Sequence, residues 1–359
     1  MHRPDTYGGD ITPSDPGQGL FGVLSDGRPV QRLVIGGDPR PEVHLLTLGA
    51  TLHRLEVTAG DGRRYDVVLG HPDLPTYLAS PYYLGAVIGR YANRIRAGRF
   101  VMGGQEVRVP VNDRGHALHG GPDGFDRRLW EVREHQLDRA VLRLVSPDGD
   151  MGFPGRVEAT ATYEVTDSTV RLTLAASTDA PTVVNLTSHA YVNLDGGGTI
   201  DGHRLWVPAD RWTPVDDAAI PTGTHEPVDG TPFDLREPAL LSERLAELPG
   251  GYDHNLVVAG VGRRPVAALE SSRTGLRLEL LADQPGLQLF TSGTFDGSRP
   301  GVDGTPLPRY AGVALEPQLF PDSPNHPDWP SALLAAGDTY RSVIEWSFSP
   351  LPPRPPAAR

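Results

Sequence analysis

The chain contains no cysteine, and reading its 359 residues finds no lysine either, so all 33 basic residues are arginine. The first absence removes disulfides, thiolate nucleophiles and every cysteine-based zinc or iron–sulfur site. The second removes Schiff-base chemistry and the lysine of a phosphate-binding loop. Long apolar runs are missing too. The amino terminus, MHRPDTYGGDITPSDPGQG, has no stretch that would serve as a signal core, and no later segment is long enough to span a bilayer. The expectation is a cytoplasmic chain with no membrane partner. Positive charge is in deficit, with a net charge of −12 and no basic run, whereas nucleic acids select a basic footprint. No nucleic-acid partner is expected. There is no G-x-S-x-G elbow and no strand-linked G-x-G-x-x-G, which leaves serine-hydrolase and dinucleotide chemistry without support.

What is present reads as strand. Gly 42 and Pro 36 together make about 22% of the chain, turn-rich but below the roughly 25–30% at which disorder is the better reading. With 38% hydrophobic residues there is material for a sizeable core without disulfides. Val43 to Leu55, Tyr65 to Leu69, Val141 to Val145, Leu276 to Leu281 and Val343 to Phe348 are short runs bounded by Gly, Pro or Asp. Alternation on either side of Asp167 predicts a hairpin over Ala161 to Ser177. Helical signals are brief, around Leu74 to Ala79 and Pro238 to Leu248. No repeat and no linker stands out, so the fold expected is all-β, a large antiparallel β-sandwich in one domain over residues 1–349. The first fifteen residues are expected to be loose, and residues 350–359, PLPPRPPAAR, to form a disordered Pro-rich tail.

Five segments carry more convergent polar groups than a core strand needs. They are Gly89 to Ile95 (GRYANRI), Asn112 to Gly121 (NDRGHALHGG), Asn185 to Leu194 (NLTSHAYVNL), Tyr252 to Leu256 (YDHNL), and the pair PGLQLF with GVALEPQLFPDSPNH. In the third, period-2 alternation puts Asn185, Thr187, His189, Tyr191 and Asn193 on one face and Leu186, Ala190, Val192 and Leu194 on the other. A wall of amides, imidazole and phenol suits a sugar, which needs many hydrogen bonds and a ring to stack on. A solvent-exposed sheet face would more often carry Lys, Glu or Thr. Asn185-Leu186-Thr187 also matches a glycosylation acceptor, a match common by chance. Glu316 follows an apolar run and precedes Pro317, which favours an extended backbone and, if the site is buried, a raised carboxyl pKa. His116 and His119 have H-x-x-H spacing, but no helix is expected there, so hydrogen bonding is preferred to a metal role.

Taken in order, GRYANRI, ALHGG, NLTSHAYVNL, YDHNLVV, PGLQLFTSG and LEPQLFPDSPNHPDWP resemble the aldose 1-epimerase (galactose mutarotase) family over residues 89–330. The resemblance implies a β-sandwich of the supersandwich, galactose mutarotase-like type, an open sugar cleft and no cofactor or metal. It implies a general base at Glu316 and a general acid at His189, with the sugar held by Asn93, Arg94, His119, Asp253 and Gln288. The partner implied is a small aldose such as galactose or glucose, and the assembly a monomer or weak dimer. Ser188, Val192 and Thr291-Ser292-Gly293 depart from the usual family pattern and bear on sugar preference. Asn93 and Arg94 are adjacent, so both reach one sugar only if the backbone there is irregular.

Two other readings compete. In a glycoside hydrolase Asp253 and Glu316 would be the acid and nucleophile, which leaves the His189 segment without a role. A non-catalytic sugar-binding module would have no use for both Glu316 and His189.

Overall fold

The computed structural model describes residues 18–351. The residues expected to be loose at the amino terminus, and residues 352–359 of the Pro-rich tail, lie outside that range. The strand Thr339–Pro350 extends one residue into the expected tail.

The hairpin expected around Asp167 forms. Val157–Thr166 pairs with Thr169–Thr178, with Val165 opposite Val170 and Tyr163 opposite Leu172. Asp167 takes a φ of 44°, the left-handed conformation that a two-residue turn demands and that aspartate tolerates. The hairpin lies within a nine-stranded antiparallel sheet, flanked by Arg139–Ser146 on one side and by Thr339–Pro350, Leu276–Ala282 and Arg264–Ser271 on the other. Along Arg139–Ser146, Val157–Thr166 and Leu276–Ala282 every second residue is buried, so this sheet turns one face to the core and one to solvent.

A six-stranded sheet runs in the order Tyr191–Val192, Val313–Gln318, Gly286–Phe290, Asp253–Val258, Ala209–Thr213 and Glu226–Pro227. It behaves differently. All six residues of Val313–Gln318 are buried, so both faces of that strand are covered. Leu287, Leu289, Val313 and Leu315 join Leu142, Ala159, Leu172 and Leu278 of the large sheet in one apolar cluster. Gln288 and Glu316, alternating with those leucines, therefore point the other way. A five-stranded sheet over Gln18–Val23, Pro29–Gly36, Glu42–Leu46, Thr51–Thr58 and Arg64–Asp66 adds Leu33, Val43 and Leu52 to the same cluster. The antiparallel sandwich expected from the sequence is the fold.

Local corrections follow turn chemistry. Val43 to Leu55 is not one run but a hairpin that reverses at Gly49 and Ala50, with φ of 67° and 45°. Of Tyr65 to Leu69 only the first two residues lie in a strand, Arg64–Asp66. The helix Leu74–Ala79 starts at Asp73, whose carboxylate accepts from the Thr76 N–H at 2.9 Å. The second helix is trimmed to Leu241–Glu247, because Ala239–Leu240 pairs with Arg204 and Leu205.

The Asn185 to Leu194 segment is broken into two short pairings, Thr187–Ser188 with Val87–Ile88 and Tyr191–Val192 with Val313–Ala314. Its apolar face sits in the core as expected. The polar face is buried as well, and three of its five side chains serve the backbone. Asn185 Nδ2 donates to Ala92 O, Thr187 Oγ1 to Pro317 O, and Asn193 Nδ2 to Ala311 O. Asn185, with no exposed surface, is closed to glycosylation. The expected sugar wall contracts to His189 and Tyr191. No helix among the described residues is long and apolar enough to cross a membrane.

Candidate active site

Strand register decides which side chains meet. Tyr191 lies opposite Ala314, Ala314 opposite Phe290, and Phe290 opposite Asp253. Directly opposed residues share a sheet face, so these four make one row. Glu316, opposite Gln288, begins the next row. His189 stands two residues before Tyr191, and its Nε2 lies 3.6 Å from Glu316 Oε1. Two groups separated by 127 positions in sequence thus become neighbours through pairing alone.

The facing wall comes from a small ladder in which Arg94–Ile95 pairs with Ala117–Leu118. Asn93 adopts a φ of 64°, the backbone irregularity expected if both neighbours are to face one cavity, and Asn93 and Arg94 both line it. His119, at φ 54°, closes the ladder by a reciprocal pair of bonds: its N–H donates to Asn93 O at 3.0 Å and its Nδ1 accepts from the Asn93 N–H at 3.1 Å. That bond places the ring proton on Nε2, so His119 presents a donor to the cavity. Gly120 follows with φ 84°, and a Cβ there would sit 2.1 Å from Gly89 O. Only glycine lets the two motif segments approach this closely.

The cavity between these walls is about 140 Å³ and is lined by all seven residues expected from the sequence: Asn93, Arg94, His119, His189, Asp253, Gln288 and Glu316. Pro81, Tyr82, Tyr83, Arg114 and Thr294 also line it and were missed. Tyr82 and Tyr83 had a signal, two adjacent tyrosines in a Pro-containing turn after a short helix. The Tyr83 ring stacks near-parallel to His189, centroids 5.8 Å apart, and meets His119 edge-on at 4.7 Å. Tyr191 packs against His189 at 5.0 Å, giving the cavity an aromatic lining on two sides.

The departures from the family pattern fall elsewhere. Ser188 and Val192 do not line the cavity, and Val192 is in the core. Thr291 Oγ1 accepts from the Tyr252 N–H, and Ser292 Oγ donates to Gly312 O. These residues brace a loop and do not line the cavity. His116 and His119 turn their Nδ1 atoms to different backbone donors, Ala97 N–H and Asn93 N–H. A larger cavity of about 420 Å³ lies by Arg54, Asp66 and the Gly196–Gly198 loop, but its charged pair is already joined at 2.9 Å.

Electrostatics single out one pair. Burial pushes the Glu316 carboxyl well above the usual carboxylate range, and the nearby Asp253 adds to the rise. Burial pulls His189 down to about 4. His119 is lowered too, first by burial and then by His189 and Arg94. Gln288 Nε2 donates to Asp253 Oδ1 at 2.8 Å. Glu316 Oε2, His189 Nδ1 and Gln288 Oε1 are buried and have no hydrogen-bond partner in the protein. Three unsatisfied polar atoms around one cleft mark a place where bonding capacity is held for a ligand. An acidic and a basic group of displaced pKa, side by side in a buried cleft, suit proton transfer at neutral pH.

Comparison with known proteins gives the family. The family model described as Aldose 1-epimerase matches residues 32–347. Galactose mutarotase of Mus musculus is 38% identical over 335 residues, covering 92% of this chain and 97% of the relative. Aldose 1-epimerase of Escherichia coli K12 is also 38% identical, over 338 residues, with 91% and 97% covered. Among solved structures, an aldose epimerase homologue from C. elegans superposes with a TM-score of 0.86 at 30% identity, covering 90% of this chain and 100% of that one. Galactose 1-epimerase from Lactobacillus acidophilus gives 0.81 at 26% identity, covering 93% and 98%.

Proposed function

The chain belongs to the aldose 1-epimerase family, and we propose that its cleft interconverts the α and β anomers of a free aldose with Glu316 as general base and His189 as general acid. The observation that carries the assignment is the 3.6 Å approach of His189 Nε2 to Glu316 Oε1 at the floor of the cleft. Opening the ring requires a proton to leave O1 while one is delivered to O5. The Glu316 carboxylate takes the O1 proton as protonated His189 gives its proton to O5. The C1–O5 bond breaks, leaving an aldehyde at C1 and a hydroxyl at C5. Rotation about C1–C2 turns the other carbonyl face to O5, and reclosure returns the proton from O5 to His189 and from Glu316 to O1. No electrons change hands.

One proton serves the pair throughout. Before opening it resides on His189; after opening it resides on Glu316. The displaced pKa values favour the arrangement with the proton on Glu316, because burial makes charge separation costly, so the form with the proton on His189 is the less populated one from which opening starts, and its carboxylate accepts a proton readily. Asn93, Arg94, His119, Asp253 and Gln288 hold the sugar hydroxyls, and Tyr83 and Tyr191 face its ring. Galactose or glucose suits this lining. The test is His189→Asn, assayed by polarimetry on freshly dissolved α-galactose: turnover falls about 10² to 10⁴-fold while sugar binding persists. Near-normal turnover in a folded His189→Asn protein would reassign the acid.

A further inference from the structure

We infer that Asp113 is a positioning residue for the sugar-binding guanidinium of Arg94, an inference that rests on the reading of Arg94 as a sugar ligand. Arg94 Nε donates to Asp113 Oδ2 at 3.0 Å, and Nη2 lies 3.0 Å from the same oxygen. Arg94 is 7% exposed, so its long side chain is held away from bulk water. Two of its three nitrogens are fixed to one carboxylate oxygen. That fixes the plane of the group and leaves Nη1 outside the Asp113 contact, available in the cleft that Arg94 lines, since a guanidinium donates only within its plane.

The carboxylate is itself held in place. Asn112 and Asp113 both donate their backbone N–H to His116 O, and the His116 N–H returns to Asp113 O at 2.7 Å. Asn112 Nδ2 donates to Leu118 O, and its Oδ1 accepts from the Leu118 N–H. Arg114, at the tip, accepts a φ of 47°, a conformation that a non-glycine residue adopts only where its surroundings impose it. Leu118 in turn pairs with Arg94. The turn from Asn112 to Leu118 is thus a bracket: one end pairs with the backbone of Arg94 and the other grips its side chain. An arginine orienting a sugar by one edge gains from this arrangement, because the entropy of a flexible side chain is lost on folding and not on binding.

A purely structural carboxylate would behave differently. Its loss would lower the folded fraction and so the apparent kcat, leaving KM unchanged in the molecules that remain folded. Loss of a positioning group loosens Arg94 in a folded protein and raises KM. The experiment compares Asp113→Asn, Asp113→Glu, Arg94→Gln and the Asp113→Asn/Arg94→Gln double variant, with kcat and KM for galactose and melting temperature measured for each. Asp113→Asn is expected to raise KM about 10-fold with kcat within about 3-fold. Asp113→Glu, which keeps the charge, recovers part of the loss. The double variant matches Arg94→Gln alone, since Asp113 has nothing left to orient. An Asp113→Asn protein with unchanged KM, while Arg94→Gln raises it, overturns the inference and leaves the Arg94 reading standing. An Arg94→Gln protein with unchanged KM and kcat overturns both.

Discussion

Replacing Glu316 by Gln keeps the size of the side chain and removes the proposed base, and its two effects should run in opposite directions. Glu316 is buried at 2% exposure, its Oε2 has no partner in the protein, and its carboxyl is raised by burial and by Asp253. A carboxyl whose folded pKa lies above its unfolded value makes the folded state bind more protons. Stability is therefore lost as pH rises from the unfolded pKa toward the folded one, by about 1.4 kcal/mol for each unit of displacement. At neutral pH the wild-type chain carries this penalty and the Gln variant does not. The variant should melt as high as wild type or higher at pH 7, by on the order of 1–2 °C per kcal/mol for a chain of this size. The gap should shrink toward pH 4.5, where both side chains are neutral. Turnover moves the other way, falling about 10² to 10⁴-fold, or roughly 3–5 kcal/mol of transition-state stabilisation. Scanning calorimetry across that pH range and polarimetry on single anomers measure the two effects. A Glu316→Gln protein that melts well below wild type at pH 7, or that keeps near-normal turnover, would refute the reasoning from burial.

Three further outcomes are expected. The profile of kcat/KM against pH reports the free protein, where one proton is shared by the Glu316 and His189 pair; its acid limb should fall near 4, the depressed His189 value, and its alkaline limb at the raised carboxyl, so an acid limb near 6.5 would contradict the burial of His189. Neutral aldoses should be preferred over aldose 6-phosphates, because Asp113 engages Arg94, Asp150 engages Arg128, and Arg127 lines a different cavity; a higher specificity constant for glucose 6-phosphate than for glucose would overturn this reasoning. Gly120→Ala puts a Cβ 2.1 Å from Gly89 O and should lower both melting temperature and kcat/KM, since the backbone that holds His119 must move; unchanged kinetics would mean the loop yields without disturbing the site.

Much of the site could be read in the sequence because its residues sit in short motifs whose polar types have no use in a core. His189 alternates with apolar residues that do enter the core, and Glu316 ends an apolar run, so each announced a polar group facing away from the interior. Asn185, Thr187 and Asn193 gave the same signal and misled, since their amides and hydroxyl satisfy backbone groups of neighbouring segments. Alternation reports which face a residue takes. It does not report whether that face meets a ligand or another piece of backbone.

The sequence by itself determined the class of fold, because period-2 alternation, frequent Gly and Pro turns and the near absence of helical periodicity admit little besides an antiparallel sandwich. It also determined the chemistry available, through a chain without thiol or lysine that keeps a carboxylate, imidazoles and amides in its polar motifs. Only the tertiary structure decided which of these groups meet. The pairing of Tyr191 with Ala314 and of Gln288 with Glu316 sets His189 beside Glu316, and the turn at Asp113 holds the Arg94 guanidinium. The physical reason is that strand register joins residues far apart in the chain. A slip of one residue would send Glu316 into the apolar core and Leu315 into the cleft, an exchange that local sequence leaves open and that the buried face of the whole sheet forbids.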